Sequence, residues 1–275
     1  MSNKASASEY ESFRKFLAAT CGILLGDNKQ YLVASRLNKL MAEHKIDNLS
    51  VLVDNLQRVS NGKLKNSVVD AMTTNETLWF RDIHPFNIFE NIILPELSQK
   101  NERLRVWSAA CSSGQEPFSL SMLAEEYRQA KPGRLRHSME IVATDLSPSM
   151  LACCKEGVYD QLSLGRGLSE QRLKRFFDPL DNDRWKVKDQ VRKSIRFQQL
   201  NLMDGYGLLG NFDVVFCRNV LIYFSTELKV DILQRMHKAL RPGGYLVLGA
   251  SESLAGVSDL YEMVQCRPGI IYRAL

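Results

Sequence analysis

The sequence has no long apolar run, which argues against one large class of proteins. Of the 275 residues 45% are hydrophobic, yet no stretch approaches the roughly 18 consecutive apolar residues that a membrane-spanning helix needs. We therefore expect no direct insertion into a membrane. Residues 1–9 also lack the apolar core of a secretory signal, so we expect a cytoplasmic protein.

Cysteine and histidine are too few and too scattered for a disulfide framework or a structural zinc site. There are six cysteines and four histidines, and no two cysteines have C-x-x-C spacing. Several cysteines lie in apolar stretches, as is typical of reduced thiols in a cytosolic protein. We expect no bound metal.

The excess of positive charge is small. The formal net charge is +5, with 24% of residues charged, which is typical of globular domains and is no proof of a nucleic-acid partner. We expect none.

The chain divides into two parts with different periodicity. Residues 1–73 show helical spacing and no strand signal, with a capping box predicted from Ser8 to Glu11 and a second helix predicted over about 28–45. We interpret this part as an N-terminal helical domain, followed by a linker at 74–84.

From residue 85 to 275, short apolar runs alternate with helical patterns. The predicted strands are 104–110, 140–145, 212–217, 245–249 and 269–273, and the predicted helices are 117–129, 148–156 and 226–240. This alternation predicts an α/β domain with a mostly parallel sheet covered on both faces. Residues 157–199 break the alternation, and their extended runs 184–188 and 195–200 predict a small inserted β-hairpin subdomain.

Two strand ends indicate a ligand site. The first strand is followed by a turn of small residues that includes Gly114, and the next ends in Asp145. In open α/β sheets such turns border the ligand, and an acidic residue there accepts hydrogen bonds from ribose hydroxyls. Each signal has a structural alternative, because tight turns need small residues and Asp145 also suits the cap of a helix starting at Ser147. Together they favour a nucleoside-type ligand.

Several strings in the sequence resemble one protein family, the CheR chemotaxis receptor methyltransferases, and the resemblance covers essentially the whole chain. They are TNETLWFRD at 74–82, SAACSSGQEPFS at 108–119, ATD at 143–145, FCRNVLIYF at 216–224, RPGG at 241–244 and SES at 251–253.

This resemblance implies both a fold and a reaction. The fold is an all-helical N-terminal domain joined to a Rossmann-like methyltransferase domain, whose mostly parallel seven-stranded sheet has one antiparallel strand and carries a small inserted β-subdomain. The reaction transfers the methyl group of S-adenosyl-L-methionine (SAM) to glutamate carboxylates in the cytoplasmic helices of transmembrane chemoreceptors, for sensory adaptation. It leaves glutamate methyl esters and S-adenosyl-L-homocysteine (SAH). We expect the enzyme to be a monomer.

The expected chemistry needs no general base. A glutamate carboxylate is already an anion at neutral pH, so a catalytic His or Cys pairing is not required. A guanidinium and a phenol hydroxyl can hold the carboxylate in line with the methyl group without taking a proton.

The resemblance also assigns residues to the site. Arg81 and Tyr223 are the expected catalytic residues. The expected cofactor-binding residues are Asn75, Thr77, Arg81, Glu116, Asp145, Asn201, Leu202, Arg218 and Asn219. The alternatives are ordinary: the arginines as surface ion-pair partners, Tyr223 as a core aromatic, and the asparagines as turn or cap residues.

Two regions bear on the macromolecular substrate. Arg36 and Lys39 on the second helix are expected to bind the acidic methylation region of a receptor, although Glu43 and Asp47 also fit an ordinary solvated helix face. The turn at 177–185 is short and lacks the glycine found in family members that bind a receptor's C-terminal pentapeptide. We therefore expect methylation that is independent of such a tether.

Two other functional classes stay open. A nucleic-acid methyltransferase would share the cofactor fold, but the strand from Phe212 ends in Cys-Arg-Asn-Val instead of the Asn/Asp-Pro-Pro-aromatic run of DNA amino-group methyltransferases. No stacking platform of aromatic and basic residues is apparent either. A non-catalytic signalling module is disfavoured because Glu116, Asp145, Arg81 and Tyr223 are all present and none is needed for folding.

Overall fold

The computed structural model describes residues 6–58, 62–100, 102–254 and 256–275 of the chain. Residues 1–5 and 59–61 of the predicted helical domain lie outside the described residues, and part of the segment used for the secretory-signal expectation is among them. Two compact units are present: Met1–Thr74 with Tyr223–Leu228, and Asn75–Ile222 with Lys229–Leu275.

The first unit is helical. Its helices are α1 (Ala7–Cys21), α2 (Gln30–Glu43), α3 (Leu49–Leu56) and α4 (Gly62–Met72). Helical spacing of apolar residues brings one face of each helix into a common core that includes Phe13, Leu17, Leu37, Leu52 and Val68.

The start of α1 differs from the prediction. The capping box is formed by Ser6 and Glu9: the Ser6 hydroxyl accepts from Glu9 N at 3.2 Å, and the Glu9 carboxylate accepts from Ser6 N at 2.8 Å. Ser6 has the extended backbone that a cap needs, whereas Ser8 lies inside the helix, so the predicted box at Ser8 is wrong.

Arg36 does not lie on an ordinary solvated face of α2, which was the alternative interpretation of this residue. Its guanidinium is half-buried and donates to the carbonyls of Met72 and Thr73, at 2.7 and 3.1 Å, and to Thr74 Oγ1 at 3.1 Å. These are the last carbonyls of α4, which have no partner within the helix, so Arg36 caps that helix. Lys39, by contrast, is exposed.

The segment Tyr223–Leu228 packs with this helical unit. The carbonyl of Tyr223 accepts a hydrogen bond from Leu24 N at 2.9 Å, and Phe224 is buried. Gly22 has φ +75°, and a Cβ there would lie 2.5 Å from Leu228 Cδ2. Only glycine allows both that backbone conformation and that close approach.

The second unit contains the sheets and the remaining helices. Its helices are α5 (His84–Ile88), α6 (Leu94–Leu97), α7 (Gln115–Ala130), α8 (Pro148–Glu156), α9 (Gln161–Leu164), α10 (Glu170–Phe176) and α11 (Asp189–Arg192). A further helix, α12 (Thr226–Ala239), begins in the Tyr223–Leu228 segment of the first unit and continues into the second. A π-helical turn at Phe89–Ile93 joins α5 to α6. The strands are β1 (Arg105–Ala109), β2 (Glu140–Asp145), β3 (Val158–Asp160), β4 (Phe177–Leu180), β5 (Arg184–Val187), β6 (Ile195–Gln199), β7 (Phe212–Cys217), β8 (Leu240–Leu248), β9 (Tyr261–Gln265) and β10 (Ile270–Ala274).

The large sheet has seven strands in the order β6-β2-β1-β7-β8-β10-β9. The first five are mutually parallel, and β10 runs antiparallel to both β8 and β9. The predicted architecture, a mostly parallel seven-stranded sheet with one antiparallel strand, is therefore confirmed. Its central strands are buried, as expected for a parallel sheet.

The small sheet has the order β3-β5-β4 and is antiparallel. The predicted inserted β-structure is present. The second extended run assigned to it, 195–200, does not belong to the small sheet, so that part of the prediction is wrong. Strand β6 instead pairs in parallel with β2, with Ile195 opposite Ile141. The side chains of Ile195 and Phe197 pack against a buried cluster of the main domain, and such distant partners are invisible in local sequence.

Throughout the described ranges, no helix combines the length and the apolar character needed to cross a bilayer.

Candidate cofactor site at the strand ends

Three neighbouring parallel strands end at the same edge of the sheet. Ala109 of β1 lies opposite Thr144 of β2 and Cys217 of β7. The turns that follow these strands therefore meet at one carboxyl edge, which is where open α/β sheets bind ligands.

The turn after β1 has an unusual backbone. Ala110, Ser112 and Gly114 all have positive φ, at +60°, +50° and +97°. A Cβ on Gly114 would lie 3.0 Å from each of Cys154 Sγ, Phe118 Cε2 and Tyr159 OH, so a side chain there would be both crowded and conformationally strained. Helix α7 begins at the next residue, and its first N–H groups border the turn.

Asp145 fastens this turn to the end of β2. Its side chain is buried, and its two carboxylate oxygens accept from Ser112 N at 2.7 Å and from Ser147 N at 2.9 Å. Ser147, not Asp145, is the N-cap residue of α8, because its hydroxyl accepts from Met150 N. The Ser112 hydroxyl in turn donates to the Asn75 carbonyl at 2.7 Å, which brings in the segment before α5.

A buried arginine connects the end of β7 to two carboxylates. The Arg218 side chain is 2% exposed; Nη1 contacts Glu116 Oε2 at 3.1 Å and Nη2 contacts Asp82 Oδ2 at 2.7 Å. Nη2 also donates to the carbonyl of Arg81 at 2.9 Å, and Glu116 accepts from Ser108 Oγ at 2.8 Å. Among the described residues, Arg218 Nε has no partner although it is buried. The surface ion-pair alternative for Arg218 is thus wrong.

Arg81 lies on a strained turn. Phe80, Asp82 and Ile83 have φ of +49°, +67° and +53°, a region that non-glycine residues rarely adopt. Arg81 is half-buried as a residue, and its guanidinium donates to the Glu76 carbonyl at 2.9 Å in an exposed position. Such strain persists only where surrounding contacts enforce it, and it is common at functional sites.

The loop after β7 is held by a residue for which no role was predicted from the sequence. Asn219 has φ +58°. The Glu252 carboxylate accepts from the backbone N–H groups of Asn219, Val220, Leu221 and Gly249 at 2.7–2.9 Å. Glu252 lies in the SES string at 251–253, and the family resemblance of that string is the sequence feature that could have identified it.

The remaining predicted cofactor residues occupy turns near these strand ends. The turn after β6 adjoins β2, because Leu200 N donates to the Asp145 carbonyl at 3.0 Å. Within it, Asn201 Oδ1 accepts from Met203 N, as the turn alternative for Asn201 expects, and Leu202 is buried. Thr77 is half-buried in the irregular segment before Trp79.

Two thiols at the strand ends are unsuited to be nucleophiles. A hydrogen bond with Cys154, together with burial, raises the pKa of the Cys111 thiol well above its ordinary value. Burial, and then the nearby carboxylates of Glu252 and Glu116, do the same for the pKa of Cys217. Both thiols therefore stay protonated at neutral pH. None of the six cysteines, all of them described, is in a disulfide.

Three predicted residues lie outside this unit. Tyr223 is half-buried in the segment that packs with the helical unit, and Arg36 and Lys39 are on α2. Their functional roles stay predictions. Within the described part of the chain, no group of three or more His, Cys, Asp or Glu side chains is placed to hold a metal ion.

The strand order and the turns after β1 and β2 define a Rossmann-like domain of the SAM-dependent methyltransferase class. Residues 75–270 match the family described as CheR methyltransferase, SAM binding domain, and residues 8–73 match its all-alpha domain. The chain belongs to the CheR methyltransferase family, as its sequence strings predict. The predicted SAM cofactor is also confirmed.

Relatives are similar over nearly their whole length. The chain is 57% identical to chemotaxis protein methyltransferase Cher2 of Pseudomonas putida, over 97% of this chain and 98% of that one. It is 58% identical to chemotaxis protein methyltransferase 1 of Pseudomonas aeruginosa, over 98% and 99%. It is 53% identical to the chemotaxis protein methyltransferase of Vibrio anguillarum, over 98% and 97%.

Proposed function

We propose that this enzyme methylates glutamate side-chain carboxylates in the cytoplasmic helices of transmembrane chemoreceptors. The observation that carries the proposal is its similarity, over both units, to enzymes named chemotaxis protein methyltransferase. Chemoreceptors are the substrates that this name implies, and we place the enzyme in the cytoplasm, where those helices lie, acting as a monomer.

The strand-end residues fit the cofactor. Arg218 Nε is a buried donor for which the described residues supply no acceptor, and the first N–H groups of α7 border the turn that contains Gly114. We assign cofactor binding to the residues predicted from the resemblance: Asn75, Thr77, Arg81, Glu116, Asp145, Asn201, Leu202, Arg218 and Asn219. When bound, SAM supplies a methyl group on a positively charged sulfur.

The charges at the strand ends suit a cationic ligand. Asp82, Glu116 and Asp145 bring three carboxylates, against the guanidiniums of Arg218 and Arg81, so one net negative charge remains. A carboxylate has about four acceptor positions, so Glu116, with one contact to Ser108 and one to Arg218, has capacity for a ligand's donors as well. The surplus negative charge favours a sulfonium and an ammonium group, and it acts more strongly where water is excluded.

The protein's own groups have to orient the substrate carboxylate that receives the methyl group, and they do not have to deprotonate it. A substrate carboxylate is already ionised at neutral pH, and the protonated Cys111 and Cys217 take no part as bases. We assign to Arg81 the planar, two-point grip on that carboxylate and to Tyr223 a hydroxyl donor to it. Exclusion of water favours the step, because opposite charges neutralise each other during transfer.

Receptor binding is proposed to be independent of a C-terminal tether. A peptide added as an extra strand needs an edge with accessible backbone groups. Strand β4 is an edge of the small sheet and contains Pro179, which has no N–H to donate. The tight turn after β4 uses Asn182 and Asp183 with positive φ, where tether-binding family members have glycine.

The test supplies the full-length enzyme with radiolabelled SAM and one of three substrates: receptor-containing membranes, DNA or RNA. We expect base-labile label, which is typical of carboxyl methyl esters, on receptors alone. We also expect the same rate with receptors that lack their C-terminal pentapeptide. Label on nucleic acid, or no label on any substrate, would refute the receptor assignment. A large loss of methylation rate when the receptor's C-terminal pentapeptide is deleted would refute only the independence from a tether.

A further inference from the structure

The four hydrogen bonds to Glu252 connect two neighbouring strand ends. Three of the N–H donors, those of Asn219, Val220 and Leu221, belong to the loop after β7, and the fourth, Gly249 N, follows β8. Consecutive backbone N–H groups that converge on one anion form a nest, which normally binds a free anion such as a phosphate. Here the protein's own carboxylate fills it.

From this arrangement we propose that Glu252 is a positioning residue for the cofactor site. It holds the loop after β7 in the conformation that places Arg218 between Glu116 and the turn that carries Arg81. Glu252 contacts none of these three side chains through a hydrogen bond, and it acts through the backbone.

The backbone of this loop needs such an anchor. Asn219 is in the left-handed region, with φ +58°, which asparagine tolerates better than other residues with a Cβ but still at a cost that the bonds to Glu252 offset. The anchor is also closely fitted: a Cβ on Gly249 would lie 2.6 Å from Glu252 Oε2 and 2.9 Å from Asn219 N. Position 249 therefore accepts only glycine while the carboxylate and the loop are in place.

Displacement of this loop would reach the cofactor site directly. Arg218 precedes Asn219 in the chain, and its guanidinium contacts Glu116 Oε2, Asp82 Oδ2 and the carbonyl of Arg81. A buried guanidinium cannot follow a moved backbone without breaking these bonds. A small shift of Asn219 therefore changes the geometry at Glu116 and also at the turn that carries Arg81.

The test compares Glu252→Gln with Glu262→Gln, the same substitution at an exposed residue of β9. Glutamine keeps the size of the side chain but turns an NH₂ group toward backbone donors. We expect Glu252→Gln to weaken SAH binding, measured by calorimetry on folded protein, about tenfold or more. We also expect kcat/KM for receptor methylation to fall about 100-fold. Glu262→Gln should match the parent in both.

A second measurement separates positioning from mere stability. Glu252→Ala leaves a cavity lined by four N–H donors, and added formate is a free carboxylate of suitable size. We expect formate to restore SAH affinity in Glu252→Ala and to have no effect on Glu262→Gln. Restoration would show that an anion in the nest, not the side chain's packing, sets the affinity.

Parental SAH affinity in a folded Glu252→Gln would overturn the proposal. If that variant does not fold, Glu252→Asp, which keeps the charge but retracts the carboxylate by one methylene, takes its place with the same expected loss and the same contrary outcome. If neither Glu252→Gln nor Glu252→Asp folds, and formate does not restore SAH affinity to Glu252→Ala, the proposal is overturned as well. Only the turnover measurement rests on the proposed function: a parent that binds SAH but methylates no receptor refutes that function and leaves the binding test valid.

Discussion

At the scale of single residues, the site depends on carboxylates that already have protein partners. Asp145 uses both oxygens on backbone N–H groups, and Glu116 uses one on Ser108 and one on Arg218. Each therefore shapes the backbone of the strand-end turns, in addition to the cofactor-binding role proposed for it. Substitutions at these positions should affect ligand affinity through both effects.

Asp145→Ala should weaken SAH binding by about 1–3 kcal/mol, because it removes the acceptor proposed for the ribose hydroxyls and releases the Ser112 turn that Asp145 holds. Calorimetry measures this directly, with Asp259→Ala, at an exposed aspartate, as the matched control. An unchanged dissociation constant in Asp145→Ala would contradict its assignment to the cofactor site.

Tyr223→Phe removes only a hydroxyl and tests whether that group orients the substrate carboxylate. We expect turnover to fall by an amount equivalent to about 1.5–3 kcal/mol, the range for a hydrogen bond to a charged group, with an unchanged melting temperature. Arg81→Ala should lower turnover further. Tyr31→Phe, at an exposed tyrosine of α2, is the control. Methylation by Tyr223→Phe at the parental rate would show that the hydroxyl has no such role.

At the scale of elements, the junction between β1 and α7 combines tight packing with a left-handed backbone. A Cβ on Gly114 would meet three side-chain atoms at 3.0 Å, whereas a Cβ on Gly133, which has a similar φ of +81°, would have no heavy atom within 4 Å. The two glycines therefore separate the conformational cost of a side chain from its steric cost.

We expect Gly133→Ala to lower the free energy of unfolding by about 1–2 kcal/mol, the cost of a left-handed L-residue. Gly114→Ala should cost about 1–3 kcal/mol more, because its neighbours must move. It should also weaken SAH binding, whereas Gly133→Ala should not. Urea titrations and calorimetry measure the two effects, and equal losses in both variants would contradict the packing argument.

The end of α4 offers a second prediction at this scale. Arg36→Ala should destabilise the helical unit by about 1–2 kcal/mol, because it frees carbonyls of Met72 and Thr73 that have no helical partner. Lys39→Ala should have no measurable effect on stability, because Lys39 is exposed and its contact with Glu43 is long, at 3.9 Å. Thermal unfolding compares the two, and an equal loss in both would contradict the capping role.

At the scale of the whole molecule, the question is which surface recognises the receptor. Lys39 can be tested without loss of stability, whereas a charge reversal at Arg36 would also remove the cap of α4. We expect Lys39→Glu to weaken receptor binding more than deletion of the receptor's C-terminal tail does, and the loss to shrink at high salt. Binding to receptor membranes at two ionic strengths measures this. Micromolar affinity for the isolated tail peptide, abolished by Trp185→Ala, would contradict it.

Much of the fold follows from the sequence itself. The bounds of β2, β7 and α8 agree with the prediction, because a short apolar run or a Ser-Pro helix start is a local signal. The family, and with it the cofactor, follows from strings of adjacent residues. A small error remained at α1, where two serine–glutamate pairs with the same spacing compete and only the backbone conformation selects Ser6.

Only the tertiary structure decided which distant groups meet. Arg218 and Asp82 are 136 positions apart, and Glu252 and Asn219 are 33 apart, so neither contact has a local signature. The same holds for β6, whose extended conformation was predictable but whose parallel pairing with β2 was not. Arg36 illustrates the limit of prediction from sequence. Helical spacing predicts which face of α2 it occupies. Its half-buried position and its capping role depend on the carbonyl of Met72 at the end of α4, 36 residues later. Periodicity determines conformation and exposure along one element, whereas partners depend on how elements pack.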